Sequence, residues 1–437
     1  MKILHCINHF LPDHIAGTEV YILALIKSLY ALGVQSVVMI PNYGKEVDDV
    51  YEVEGFKVLQ YAEPSVIDRA LQMGKRMPEG LKNFKHLVSI EVPDIIHFHE
   101  LAGSNGFSLE HVKLAKASGY KTMMTFHLAR YTCKTGTLVY KKQIPCDGVI
   151  REKQCSECWY QHKGVTGWKA AVLNKSSALM HKFNADVTDL PFTISTAIGF
   201  PFLITKLRDD FNSLIENCDH LVAISKWYME VLLKNTVHSH KFSYIGQALP
   251  SQVSRIGATK KSPLLRFVYI GRISHFKGII HLLKSIKNLD AELDIYGDTG
   301  EVEYIRECKT FSEGMQNVSW KGRVQTTDVV NVLSGYEVLC LPSVVCEMAP
   351  LVIQEAFAAG IPVLASDVYG NAEQVSDGHN GWLFKFNDQQ DLRIKLKMLI
   401  ENPWLIDSAK KNIPPVKKFD AVGSEYMKLY NKVMTTI

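Results

Sequence analysis

CEMAPLVIQEAFAAGIPV, residues 346–363, runs from a loop carrying Glu347 through an alanine-rich helical segment to a Gly-Ile-Pro stop and the first residue of an apolar run. A second carboxylate, Glu355, follows Glu347 by eight positions. The apolar run 337–341 precedes the stretch, so the order is strand, loop, helix, strand. In one sheet that order makes a parallel crossover. The loop then feeds a helix N-terminus, whose unpaired N–H groups and partial positive charge receive anionic phosphate. Glu355, inside the helix, is placed to accept two ribose hydroxyls. A carboxylate pair at this spacing also suits a solvated surface helix, so the neighbouring stretches decide.

Upstream, the strand 265–270 enters GRISHFKG, residues 271–278, which places Arg272 and Lys277 in a loop before an apolar helix. A guanidinium fork and an ammonium together neutralise a leaving diphosphate. The glycine spacing and the missing Lys-Ser/Thr ending exclude a P-loop. The strand 293–296 runs into Gly297-Asp298-Thr299-Gly300, and Trp320 to Val324 forms a further strand-like stretch. Cys340 reads as core and Cys346, beside Glu347, as incidental. The polar, proline-flanked stretch 250–263 reads as an interdomain linker.

The first half opens with a strand at 3–7, a loop to Gly17 and a helix expected to bury Ile22, Leu25, Ile26, Leu29 and Leu32. A strand at 36–40 follows. The strand 95–98 ends at His99 and the strand 121–126 ends at His127, where open parallel sheets place ligands. His97 is expected on the opposite face as a structural residue. Ser225 is expected to cap the helix 226–233, ahead of a strand at 242–245.

With 437 residues, 47% hydrophobic and 22% charged, the chain has the statistics of two globular domains. A net charge of +4 is too small to argue for nucleic acid as a partner. The opening apolar run is stopped by His9 and Pro12, unlike a secretion signal, and no stretch reaches the ~18 apolar residues of a spanning helix. Nine cysteines in such a chain suggest a reducing compartment, hence a cytoplasmic location, at or near the inner face of the membrane. Four of them, Cys133, Cys146, Cys155 and Cys158, fall within 26 residues and end in a C-x-x-C knuckle. Four thiolates fill a structural zinc site and leave no open position; packed thiols, an iron–sulfur cluster or a redox pair are the other readings. Residues 121–186 carry eleven Lys or Arg against four Asp or Glu. Within 163–205, lysines interleave with Trp168, Val172, Leu179 and Met180, a pattern suited either to an anionic membrane surface or to docking on the domain.

The Glu-x7-Glu stretch with its Ala-x-Ala-x-Gly-x-Pro-Val continuation, the Gly-Arg-x4-Lys-Gly loop and PDIIHFH together resemble glycosyltransferase family 4. The resemblance implies an α/β chain of two facing Rossmann-like domains with parallel sheets (GT-B), at 1–250 and 264–410, and a C-terminal helix, 411–437, returning to the first domain. The Cys-rich, basic insertion at about 130–205 is not a general feature of the family. It further implies a retaining, metal-independent hexosyltransferase that moves sugar from a nucleotide-sugar donor, UDP-linked ahead of GDP-linked, to a saccharide or lipid-linked saccharide in cell-surface polysaccharide biosynthesis. In that scheme Arg272 and Lys277 grip the diphosphate, His99 and Glu347 position the sugar, and Glu355 binds ribose. Gly17, Gly297, Val324, Met348, Ala349, Leu351 and Val352 complete the donor site. Ala16 and Pro350 replace glycines of the family pattern. An epimerase of the same architecture, or a zinc-stabilised binding module with a degenerate site, are the rival readings.

Overall fold

The computed structural model describes residues 1–435 apart from 15–16, 67, 103–105, 189, 191, 250–262 and 298. The expected linker, except its final proline, and the positions of Ala16 and Asp298 therefore lie outside the described residues. Two compact units form: residues 1–142, 146–246 and 419–437 in one, and 143–145 with 247–418 in the other.

The strands of the first part of the chain are β1 (Lys2–Cys6), β2 (Gln35–Tyr43), β3 (Asp49–Val53), β4 (Phe56–Glu63), β5 (Ile95–Phe98), β6 (Lys121–Phe126), the two-residue β7 (Val139–Tyr140) and β8 (Ile144–Pro145), β9 (His220–Ala223) and β10 (Phe242–Tyr244). Eight of them make one sheet in the order β10-β9-β6-β5-β1-β2-β4-β3, parallel except for β3. Strands such as IIHF and HLVA are buried at every residue, as expected where helices cover both faces of a parallel sheet. The β3–β4 hairpin is not anticipated above. Its turn is Glu54-Gly55, both at positive φ (49° and 83°), the backbone a two-residue hairpin requires. The helix Gly17–Ala31 buries Ile22, Leu25, Ile26 and Leu29, but Leu32 lies beyond its end and is exposed. Ser225 stands at the N-cap of Lys226–Leu233 without making the cap hydrogen bond.

The final helix, Phe419–Thr435, packs within this same unit. The Tyr21 and Tyr426 hydroxyls bond at 3.1 Å, and Ser28 Oγ donates to Phe419 O at 3.2 Å. After β6 the chain adds the helices Glu152–His162, Gly167–Lys182, Thr193–Ile198 and Phe200–Asn217. The first and last of these helices share a small core of Ile150, Phe200, Leu203 and Ile204, with Trp159 stacked on Phe200 at 4.0 Å. Gly167–Lys182 buries only Ser177. Its apolar side chains face out: Trp168 is 73% exposed and Phe183, just past the end, 72%.

The second unit holds β11 (Leu265–Ile270), β12 (Ala291–Tyr296), β13 (Val318–Gly322), β14 (Val338–Leu341), β15 (Val363–Ser366) and β16 (Gly381–Phe384). All are parallel, in the order β13-β12-β11-β14-β15-β16. This is the doubly wound order with its direction reversing between β11 and β14, the point where such sheets bind ligands beyond the strand ends. Cys340 is buried, as a core residue should be, and Cys346 is buried as well. Among the described residues, no helix is long and apolar enough to cross a membrane.

Candidate functional site

The loops leaving β11 and β14 flank that reversal. The β11 loop carries Arg272 and, on a short 3-10 turn (His275–Lys277), Lys277; the β14 loop carries Ser343 and Glu347. Lys277 Nζ donates to Glu347 Oε1 at 2.6 Å, and Ser343 Oγ donates to the same oxygen at 2.5 Å. The two loops can approach this closely because of Gly278, at φ +66°, whose added Cβ would sit 2.0 Å from Pro342 O. Behind Glu347, Ser366 Oγ donates to Ser343 O at 2.7 Å, and Asn371 Nδ2 donates to Ser366 O at 3.0 Å. Gly370 presses on the Glu347 backbone, with 2.0 Å between its added Cβ and Glu347 O. The carboxylate is thus held from below by a buried polar ladder. Ser343 was missed in the sequence, where an isolated serine after a strand gives no signal.

Arg272 is exposed and makes no salt bridge among the described residues, while Tyr269, beneath it, donates its hydroxyl to Arg272 O at 2.7 Å. The helix Leu351–Ala359 begins at Pro350, and no side chain caps its first turn. Met348, Ala349, Leu351 and Val352 are all partly exposed around that turn. A proline at the cap leaves the following amides available, since its own missing N–H falls where no helical bond forms. Glu355 keeps partial exposure as a residue, yet the protein crowded around its carboxyl pushes its pKa up to about 7. Gly297 donates its N–H to Gly322 O at 2.8 Å, and Val324 packs at the edge of the core beside them. The structure therefore gathers Lys277, Glu347 and Ser343 by direct bonds, with Arg272, the Leu351–Ala359 N-terminus and Gly297 on loops or a helix start at the same strand ends.

In the first unit the corresponding reversal lies between β5 and β1, and there histidines collect. His5 Nδ1 lies 3.0 Å from His99 Nε2, and His99 Nδ1 lies 3.4 Å from His127 Nε2. His97 bonds the Tyr430 hydroxyl and Thr125 Oγ1, both at 2.8 Å. His97 and His99 share one face, ring centroids 4.0 Å apart, which corrects the expectation that they point oppositely: positions two apart in a strand project to the same side. His5, His97 and His99 are wholly buried. Burial holds His5 and His127 near a pKa of about 3, and burial followed by neighbouring histidines drives His97 and His99 well below the ordinary range. All four rings are neutral at pH 7. His99 meets other imidazoles at both nitrogens, so its nearest partners here are protein groups. Gly17 opens its helix, where His14 Nδ1 lies 2.9 Å from Glu19 Oε1.

Among the described residues, His5, His97 and His99 form the only group of three or more potential metal-ligand side chains whose nitrogen, sulfur or carboxylate atoms lie within 4.8 Å of one another. Cys133, Cys146, Cys155 and Cys158 are unpaired thiols lining one cavity of the first unit.

Comparison with known proteins places this geometry. Residues 254–415 match the family model described as glycosyl transferases group 1. A Campylobacter jejuni relative, the GalNAc-alpha-(1->4)-GalNAc-alpha-(1->3)-diNAcBac-PP-undecaprenol alpha-1,4-N-acetyl-D-galactosaminyltransferase, is 31% identical over 38% of this chain and 48% of its own. The chain spans little more than half the length of other curated glycosyltransferases it matches, 54% to 60%. Two solved structures align over nearly all of both chains. Sucrose-phosphate synthase from Thermosynechococcus elongatus covers 99% of this chain and 98% of its own at 15% identity and TM-score 0.66. Anabaena HepE, in complex with UDP and glucose, covers 100% of each at 13% identity and TM-score 0.60. The chain is therefore similar to the glycosyl transferases group 1 family over residues 254–415, and its two units have the GT-B fold.

Proposed function

We propose that this chain is a retaining glycosyltransferase of family 4 that transfers a sugar from a nucleotide-sugar donor, UDP-linked in preference to GDP-linked, to a saccharide or lipid-linked saccharide. The observation that carries the reading is the Lys277–Glu347 contact at 2.6 Å across the reversal between β11 and β14. A cation and a carboxylate meeting there provide one group for a diphosphate and one for a sugar hydroxyl. Solved relatives in complex with UDP favour that base, and the undecaprenol-linked acceptor in the Campylobacter enzyme's name favours a lipid-linked acceptor within cell-surface polysaccharide synthesis.

The chemistry follows from charge. As the bond from the anomeric carbon to the β-phosphate oxygen breaks, its electron pair stays on that oxygen, and Arg272, Lys277 and the amides of the Leu351–Ala359 N-terminus stabilise it. The acceptor oxygen bonds the anomeric carbon from the same face and gives its proton to the departing phosphate. The products are a glycoside and a nucleoside diphosphate. Glu347, held by Lys277 and Ser343, orients the sugar; Glu355 takes the ribose hydroxyls and is a better acceptor once ionised. His99, neutral, bonds a sugar hydroxyl only by giving up its 3.4 Å contact with His127.

The outward-facing Trp168, Val172, Leu179, Phe183, Phe192 and Ile194, beside Lys169, Lys175 and Lys182, favour contact of this segment with an anionic membrane carrying such an acceptor. Calorimetry with UDP-, GDP- and ADP-sugars tests the donor. NMR of the product's anomeric configuration, with and without acceptor, separates transfer from epimerisation. No binding by any nucleotide, or binding unchanged in Arg272→Ala/Glu355→Gln, would overturn the proposal. Flotation with phosphatidylglycerol vesicles, compared with neutral ones and with Trp168→Ser/Phe183→Ser, tests the membrane contact.

A further inference from the structure

We propose that Cys133, Cys146, Cys155 and Cys158 bind one zinc ion as a structural centre of the first unit, a role separate from sugar transfer. Three observations carry it. First, the four thiols, separated by up to 25 positions, line a single cavity together with Lys134 and Thr135. Second, backbone N–H groups are aimed at three of the sulfurs: Lys141 N to Cys158 Sγ at 3.2 Å, Arg151 N to Cys155 Sγ at 3.4 Å, and Gly148 N to Cys146. The fourth, Cys133 Sγ, lies 3.2 Å from Thr135 Oγ1. A neutral thiol is a weak acceptor, whereas a metal-bound thiolate keeps enough charge to reward such donors.

Third, the turn that presents Cys146 is built for this backbone path. In Cys146-Asp147-Gly148 the glycine has φ +71°, and its added Cβ would lie 2.3 Å from Val231 Cγ1. Any other residue there would be strained and would collide with the helix Lys226–Leu233. Asn235 ties the same turn down from the other side, donating to Gly148 O at 3.0 Å and accepting from Ile150 N at 2.9 Å. Cys155 and Cys158 sit three apart on the helix Glu152–His162 and so share a face.

Zn–S bonds of about 2.3 Å in a tetrahedron bring sulfurs to roughly 3.8 Å from one another. No three of these sulfurs are mutually within 4.8 Å, so metal binding draws the side chains inward by rotamer change. Each thiol releases its proton to solvent as its S–Zn bond forms, and four thiolates leave the centre with a net charge of −2, next to Lys134 and the N–H donors. All ligand positions are then filled, which makes the ion structural. It would pin the segment that starts six residues after His127, and so hold that strand end in place.

The test uses the full chain, purified after expression with zinc supplied. Elemental analysis is expected to give about one zinc per chain. Exchange of zinc for cobalt(II) is expected to give sulfur-to-cobalt charge-transfer bands and the visible bands of a tetrahedral site. Cys155→Ser/Cys158→Ser is expected to lose the metal, while Cys340→Ser, in the core of the other unit, keeps it. If the double variant fails to fold, the wild-type cobalt spectrum decides. Protein with negligible zinc, iron with acid-labile sulfide, a cobalt spectrum without thiolate charge transfer, or a folded double variant that keeps its zinc would each overturn the assignment.

Discussion

The two units place their distinctive side chains at the same topological position and give them opposite electrostatics. Between β11 and β14 stand an exposed Arg272, an ion-paired Lys277 and Glu347, and a crowded Glu355. Between β5 and β1 stand His5, His97 and His99, buried, neutral and hydrogen-bonded to one another or to Tyr430 and Thr125. An open parallel sheet determines where a ligand binds, and the residues on its loops determine which ligand. Charge at the second unit's strand ends suits a diphosphate. The neutral rings at the first unit's strand ends offer an anion no such attraction.

The largest effect that would sharpen this contrast is on catalysis. Arg272→Ala and Lys277→Ala are each expected to lower kcat/KM by roughly 10²–10³, the range for removing a group that meets charge developing in the transition state. Steady-state kinetics with the preferred donor measures this. A similar loss from His99→Gln, with Arg272→Ala mild, would break the comparison. Next comes Ser343→Ala, which deletes one hydrogen bond to Glu347 and is expected to cost about 1 kcal/mol of transition-state stabilisation, or roughly fivefold in kcat/KM.

Two stability predictions have opposite signs with pH. Glu355 has a folded pKa of about 7, raised from 4.5, so the folded state holds its proton more tightly and stability falls as pH rises from 4.5 through 7. Glu355→Gln removes that slope and is expected to stabilise the ligand-free chain at pH 8 by about 1–3 kcal/mol, while weakening nucleotide binding. His5 and His127 have folded values of about 3, lowered from 6.5, so the unfolded state binds more protons and stability is lost as pH falls below 6.5. Each contributes a slope of up to about 1.4 kcal/mol per pH unit, and His127→Gln should remove one such contribution. Thermal unfolding between pH 5 and 8 reads both. A pH profile that neither Glu355→Gln nor His127→Gln changes would remove the electrostatic distinction between the units.

The candidate site of the second unit was legible as a set of loops because its parts are local. GRISHFKG follows a strand, and the Glu347 to Glu355 loop and helix lie between two others; short-range periodicity and turn residues suffice to place each. Their meeting was not legible, because Lys277 and Glu347 are 70 positions apart and Ser343 carries no pattern of its own. The first unit was read less well. His99 and His127 stood out at strand ends, but His5 passed as one residue of an apolar strand and Tyr430 lies 333 positions from His97. The β3–β4 hairpin escaped because Glu54-Gly55 is a weaker turn signal than Asn-Gly. The basic helix Gly167–Lys182 had two readings, and only its packing decided that Trp168 and Leu179 face outward.

By itself, the order of apolar runs, glycines and charges determined two parallel α/β sheets and which loops would carry ions, since strand polarity and helix starts follow from nearby residues. The tertiary structure alone decided which of those groups touch, which imidazoles are stripped of water and which way the inserted helix turns its apolar side. Contacts and desolvation depend on residues far apart in the chain, and no local spacing encodes them.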